Sequence, residues 1–254
     1  MFLFIDTETT GLPAYRNAPV TDVGAWPHIV QLGWVCTDRF GNQLETARRL
    51  VKPDGYVIPP ESTRIHGVTH AHATRHGMSL GKVLDELNQT ASNAAYVVAH
   101  NLAFDMPVVQ SAYRRIGIHR DSISALQKRC TMRAAAATWG GQWPTLASTY
   151  QRLFGDAPDH AHDALADAIA CSEIFFELWE RGHISVSGPH PSQYSQEDWD
   201  FDNSLFEDIF VAAEGSDWFD TSIFVDSVYE TFQRQQWITA RQREALEDIL
   251  DRLT

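Results

Sequence analysis

Three short stretches of the 254-residue chain bring together the residue types that hydrolytic chemistry needs. Phe4-Ile5-Asp6-Thr7-Glu8 ends an apolar run with two carboxylates two positions apart, and a strand's period of two puts both on one face. Asp105 follows the apolar Val97-Val98-Ala99 across His100-Asn101-Leu102-Ala103-Phe104. His162 and Asp167 stand five apart in His162-Asp163-Ala164-Leu165-Ala166-Asp167, where small neighbours let another group approach closely. Taken singly, each has a plainer reading: a solvated strand end, a helix N-cap, a surface acid with a capping histidine. Taken together they describe one site. Carboxylates that converge repel, and their pKa values rise. Bound divalent cations remove that penalty, and all-oxygen ligands favour magnesium or manganese over zinc. Two such ions about 3.5–4 Å apart can hold a phosphodiester, activate a water and stabilise the leaving oxygen. A histidine alongside can take the water's proton. The chain has no Walker-type loop, Gly-x-Ser-x-Gly or Cys-x-x-Cys to suggest a different nucleophile.

The elements that must position these residues can be read from hydrophobic period. Phe2–Asp6 reads as a buried strand, and His28–Thr37 and Gln43–Val51 as two more, joined by the turn Asp38-Arg39-Phe40-Gly41-Asn42, an antiparallel meander. Residues 79–90 carry Leu80, Val83, Leu84 and Leu87 at helical spacing. Tyr96–Ala99 is a short strand. Met106–Ile116, a region from Arg133, Leu146–Phe154 and Ala164–Trp179 are helices, the last with Leu165, Ile169 and Phe176 as its packed side. Strands first, then strands alternating with helices, give an α/β fold: a mixed sheet covered by helices.

Composition limits the rest. At 44% hydrophobic and 21% charged residues the chain can bury a full core, which excludes wholesale disorder. Three scattered cysteines exclude a disulfide framework and a four-cysteine zinc site. The first apolar run is four residues long without a basic start, so no signal peptide is expected; no 18-residue apolar stretch is present, and a cytoplasmic location is expected. The net charge of −13 is uneven: residues 1–190 balance at −2, and residues 191–254, with 15 acids and 4 basic residues, at −11. The turn-forming Ser187-Gly188-Pro189-His190-Pro191-Ser192 marks the boundary. The expected organisation is a main domain over 1–188, an acidic aromatic linker over 189–222 and a helical hairpin over 223–254, whose second helix opens with the capping box Thr239-Ala240-Arg241-Gln242. The acidic region is a candidate interaction module for a protein partner. Arg114, Arg115, Arg120, Lys128, Arg129 and Arg133 crowd one stretch, and Arg16, Arg64 and Arg75 lie on loops near the motifs; all are candidates to meet a phosphate backbone, although for most of them an ordinary solvated helix face is the plainer reading.

The motifs Phe-Ile-Asp6-Thr-Glu8-Thr-Thr-Gly, Ala-His-Asn101-Leu-Ala-Phe-Asp105 and His162-Asp-Ala-Leu-Ala-Asp167, in that order, resemble those of the DEDDh branch of the DnaQ-like 3′–5′ exonucleases, with Arg64-Ile65-His66-Gly67-Val68-Thr69 as a weaker fourth match. The likeness covers roughly residues 1–180. It implies a ribonuclease-H-like five-stranded mixed sheet flanked by helices, to which the C-terminal acidic, helical appendage is added. It implies Asp6, Glu8, Asp105 and Asp167 as ligands of two Mg2+ (or Mn2+) and His162 as general base. By the same likeness Thr9, Thr10, Gly11 and Leu12 grip the 3′-terminal nucleotide, and His66, Asn101 and Phe104 line the pocket of the terminal two. His100 is expected to be structural. The substrate class implied is the 3′ end of a nucleic acid, single-stranded DNA ahead of RNA, cut to nucleoside 5′-monophosphates. The alternative is a noncatalytic or proofreading-type subunit docked on a replication or repair partner.

Overall fold

The computed structural model describes residues 1–119, 121–159, 162–188, 193–213 and 219–254, with side chains described to 213 and again from 223. Arg120, the boundary residues Pro189–Ser192, Trp218 and the side chain of Phe219 lie outside the described residues. In chain order the elements are β1 (Phe2–Thr9), β2 (Ile29–Thr37), β3 (Gln43–Leu50), α1 (Pro60–His66), α2 (His70–His76), α3 (Leu80–Ser92), β4 (Tyr96–Ala99), α4 (Leu102–Arg115), α5 (Ser122–Ala125), β5 (Gln127–Cys130), α6 (Thr131–Trp139), α7 (Leu146–Phe154), α8 (Ala164–Glu180), α9 (Gln196–Ala213), α10 (Phe219–Gln235) and α11 (Ala240–Leu253). The strands form one sheet in the order β3-β2-β1-β4-β5. The β1–β2 and β2–β3 pairs are antiparallel, and β1–β4 and β4–β5 parallel. The expected mixed five-stranded sheet with helices on its faces is what is found.

The chain divides into two compact units: Phe2–Thr37 with Gln43–Ser185, and Met1 with Asp38–Asn42 and Val186–Thr254. In the larger unit the alternation along β1 sorts two cores. Leu3 and Ile5 join Leu32, Trp34, Val97, Val108 and Val109 beneath α3 and α4. Phe2 and Phe4 point the other way and meet α8, with ring centroids 5.0 and 5.4 Å from that of Phe175. By the same alternation Asp6 and Glu8 face α8, and Thr7 faces α4.

Several expectations need correcting. β1 runs on to Thr9, so Asp6 and Glu8 sit within the strand instead of at its end. α4 begins at Leu102, four residues before the reading from Met106, which places Asp105 inside its first turn. The packed side of α8 is Ala164, Ala168, Cys171, Phe175 and Leu178, while Leu165, Ile169 and Phe176 are only half-buried. The small residues are there because the sheet itself comes close: a Cβ on Gly33 of β2 would lie 2.2 Å from the Ala164 carbonyl. β5, spelled Gln-Lys-Arg-Cys, has no apolar signature, and pairing with β4 alone defines it.

The smaller unit has its own core, in which Phe206 and Ile209 of α9 pack with Val225, Val228 and Phe232 of α10 and Leu246 and Ile249 of α11. Residues 196–213, expected to be linker, form the 18-residue α9. Leu205, Phe206, Ile209 and Ala213 recur at helical spacing among its acids and are buried. Buried Asp202 accepts from Arg243 Nε at 2.5 Å and from the Tyr194 hydroxyl, so the acid of α9 that enters this core is paired. α11 opens with the expected capping box between Thr239 and Gln242. Among the described residues no helix is long and apolar enough to cross a membrane.

Candidate active site

β1 outruns its parallel neighbour. It pairs with β4 only over Phe2–Phe4, so from Ile5 onward its outer edge has no strand partner. α4 fills that edge. The Asp105 carboxylate accepts from the Thr7 backbone N–H at 3.1 Å and from the Thr7 hydroxyl at 2.8 Å. A side chain thus replaces the missing ladder bond and is fixed beside the two acids of β1. Asp105 is buried, at 3% exposure, and Glu8 at 8%.

α8 brings the third component. The ligand atoms of Glu8, His162 and Asp167 lie within 4.8 Å of one another. His162 is exposed, with φ +69°, a left-handed backbone uncommon outside glycine. Its N–H donates to Asp167 Oδ2 at 3.2 Å. Asp167 Oδ1 is buried and has no hydrogen-bond partner among the described residues.

The four acids share one electrostatic environment. Burial, reinforced by the charges of Asp105, Asp167 and Glu8, holds the Asp6 carboxyl well above the usual range. Burial and the charges of Asp167 and Asp105 push Glu8 up to about 8. Burial raises Asp105 to about 7 against the lowering effect of its Thr7 hydrogen bonds. Asp167 is raised by burial, while the His162 hydrogen bond and charge act the other way. Acids that resist ionisation together, next to a buried carboxylate oxygen with nothing to bind, fit hard divalent cations. The carboxylate oxygens of these acids are the donors that magnesium and manganese take.

Residues that the sequence reading passed over hold the His162 turn. Gln31 and Gly33 of β2 stand opposite Glu8 and Asp6 in the ladder. Gln31 Oε1 accepts the Ala164 N–H at 2.8 Å, and Gly33 lets Ala164 rest on the strand. Asp163 caps α8 by accepting from the Leu165 and Ala166 N–H groups, and Arg48 of β3 donates to its other oxygen at 2.7 Å. A glycine and a glutamine interrupting the apolar Ile29-Val30-Gln31-Leu32-Gly33-Trp34 were the available signal, because an isolated glycine in a strand marks a close backbone approach.

The expected substrate residues do not share one hollow among the described residues. Thr10 and Leu12 line a hollow of about 350 Å³ with Trp26, His28 and Arg115. The Thr9 hydroxyl donates to the Gly11 carbonyl at 2.8 Å, Gly11 has φ +145°, and Leu12 is 83% exposed. His66 lines a different groove with Arg48 and Asp163. Its Nδ1 accepts the Val68 N–H at 3.1 Å, and burial, with His162 nearby, lowers its pKa. Asn101 begins α4 in a left-handed conformation (φ +85°) and makes no side-chain cap bond. Phe104 packs partly on the main core. His100 is tied by Thr131 at 2.9 Å and the Pro144 carbonyl at 3.0 Å, a structural placement.

The chain is similar to known proteins in sequence and in fold. The exonuclease (RNase T) family model matches residues 3–175. An exonuclease/endonuclease protein of Mycobacterium tuberculosis is 30% identical over 196 residues, 74% of this chain but 28% of that protein. A DNA polymerase III subunit epsilon-like protein of Rhodobacter capsulatus is 30% identical over 70% of this chain and 23% of its own length, so the chain spans about a quarter of these two relatives. Ribonuclease T of Yersinia pseudotuberculosis is 24% identical over 76% of this chain and 90% of its own length. In fold, exonuclease I of E. coli, solved with a dA16 oligonucleotide, superposes with a TM-score of 0.57 at 20% identity, covering 71% of this chain and 40% of that one. The family model spans β1 to α8, the elements that carry the acids, and the chain belongs to the RNase T exonuclease family of DnaQ-like, ribonuclease-H-fold nucleases.

Proposed function

We propose that the chain hydrolyses nucleic acid from its 3′ end, releasing nucleoside 5′-monophosphates with the help of two Mg2+ or Mn2+ ions. The observation that carries this reading is the meeting of Glu8, His162 and Asp167, beside which Asp167 keeps a buried oxygen with no hydrogen-bond partner among the described residues. Asp6, Glu8, Asp105 and Asp167 are the residues assigned to hold the ions. Such ions neutralise charge on phosphoryl oxygens and acidify water. His162, exposed beside the carboxylates, takes the proton of the attacking water. Attack at phosphorus breaks the bond to the 3′ oxygen of the preceding nucleotide, and the departing mononucleotide keeps its phosphate on the 5′ oxygen. Leu12 offers the terminal base an apolar contact, and Thr9, Thr10 and Gly11 present backbone around it. His66, Asn101 and Phe104 are assigned to the terminal two nucleotides. Single-stranded DNA is the assigned substrate. The dA16 strand in complex with exonuclease I, on a related fold, supports that assignment.

A single strand labelled at one end or the other tests the proposal. Label at the 3′ end should appear at once as a mononucleotide, and label at the 5′ end should pass through a ladder of shortening products. His162→Ala should keep its affinity for manganese while losing about 10²–10⁴-fold of turnover. Cleavage from the 5′ end, or a His162→Ala protein with full turnover, would overturn the direction or the base respectively.

A further inference from the structure

A groove of about 380 Å³ opens between the start of α4 and the β5–α6 corner. Its floor is Leu102, Ala103, Met106 and Pro107, and its rim is Lys128, Arg129 and Arg133. No acid among the described residues lines it, although the chain carries a net charge of −13. Phe104 and Asp105 fall between the floor residues on the same turns of α4, so the groove and the carboxylate centre share one piece of backbone.

The cations have different surroundings. Arg129 is fixed, with Nε donating to the Ser185 carbonyl at 2.6 Å and the guanidinium 5.0 Å from the Tyr96 ring centroid. Lys128 is exposed and reaches only the Ser124 carbonyl, at 3.2 Å. Arg133 is exposed and has no hydrogen bond or ion pair among the described residues. It sits in the first turn of α6, where the helix dipole disfavours a cation and favours an anion. Charge on an edge strand protects it from mispairing, which is a sufficient role for Lys128 and Arg129 but not for an arginine at a helix N-terminus. The floor adds a polar feature. Pro107 lies inside α4 and has no N–H to give the Ala103 carbonyl four residues earlier, so that oxygen lacks its helical donor.

We infer that this groove takes the substrate strand on the 5′ side of its terminal nucleotides. Two backbone phosphates lie against Lys128 and Arg133, a base rests on Leu102 and Met106, and the Ala103 carbonyl accepts from a base amine or a sugar hydroxyl. Cationic rims over apolar floors are how single strands are held without sequence preference. The inference rests on the exonuclease reading for the presence of a strand.

The test compares the wild-type protein with Lys128→Ala/Arg133→Ala on a dinucleotide and on a longer single strand, across a range of salt. The variant should cut the dinucleotide at the wild-type kcat/KM. On the longer strand KM should rise with kcat retained, and the slope of log kcat/KM against log salt should flatten by about 1.4, roughly 0.7 for each phosphate that is no longer neutralised. Lys128→Arg/Arg133→Lys should keep the wild-type slope, which separates charge from misfolding. An unchanged slope and KM on the longer strand would overturn the groove while leaving the exonuclease reading intact. A wild-type protein that cuts neither substrate would overturn both.

Discussion

Replacing Gly33 by alanine measures how closely α8 must lie on the sheet for the site to work. The added Cβ would stand 2.2 Å from the carbonyl carbon and oxygen of Ala164 and 2.4 Å from the Leu165 nitrogen. Ordinary contact begins at about 3.5 Å, so the first turn of α8 must retreat by roughly 1.3 Å. The opposing atoms are backbone, and no rotamer change relieves them. Overpacking of this kind costs about 1–3 kcal/mol, and at about 2–4 °C per kcal/mol for a chain of this size Tm should fall by roughly 2–12 °C. The same turn carries Asp167, His162 lies two residues before the helix begins, and Gly33 stands opposite Asp6 in the ladder. A misplacement of about 1 Å at a reacting centre costs on the order of 10²-fold, so kcat should fall by about that factor. Differential scanning fluorimetry and turnover on a labelled single strand read the two effects. Gly81→Ala is the control: nothing lies within 4 Å of its Cβ, in helix α3, and the substitution should raise stability by up to about 1 kcal/mol. A Gly33→Ala protein with wild-type Tm would refute the close packing. One with lowered Tm and wild-type kcat would refute its role in placing the site.

Gln31→Ala leaves the buried Ala164 N–H without its acceptor and should lower stability by about 1–3 kcal/mol, with turnover falling further than in Thr149→Ala, whose buried hydroxyl bonds within α7 away from the acids; denaturant melts and rates read this, and equal losses in turnover would contradict it. Stability should also depend on pH in an unusual direction. With metal chelated, Glu8 and Asp105 titrate in the fold near 8 and 7, above their ordinary values of 4.5 and 3.8. The unfolded chain then gives up these protons first, so the stability they contribute is complete below about pH 4 and is lost as pH rises to about 8. Magnesium or manganese should stabilise most at the alkaline end, because binding there displaces fewer protons. Tm measured with chelator and with metal across this range reads both effects. A site-specific contribution that instead grows with pH in chelator, judged against Glu8→Gln/Asp105→Asn, would contradict the raised pKa values.

The motifs and the sheet were legible because they rest on short-range rules. Alternation along Phe2–Glu8 put both acids on one face, and the apolar runs at β2 and β4 made strands of themselves. What the sequence hid depends on tertiary pairing. β5 is polar and is a strand only because β4 offers it an edge. The face of α8 was misjudged because large residues look like core, whereas contact at Gly33 demands alanines. Asp105 reads as a helix cap only when taken alone, and its hydrogen bonds to Thr7, 98 residues away, are a relation no local pattern contains. Acids interspersed along residues 196–213 suggested a linker, although its aromatic and aliphatic residues kept a helical period that suffices for burial.

The central claim is that acids from β1, α4 and α8 hold divalent cations together. Crystals grown with manganese and measured near its absorption edge test it directly. Anomalous density should appear between Glu8 and Asp167, in contact with Asp167 Oδ1, and should disappear in Asp167→Asn. Manganese bound elsewhere, or none bound at concentrations that saturate turnover, would contradict it.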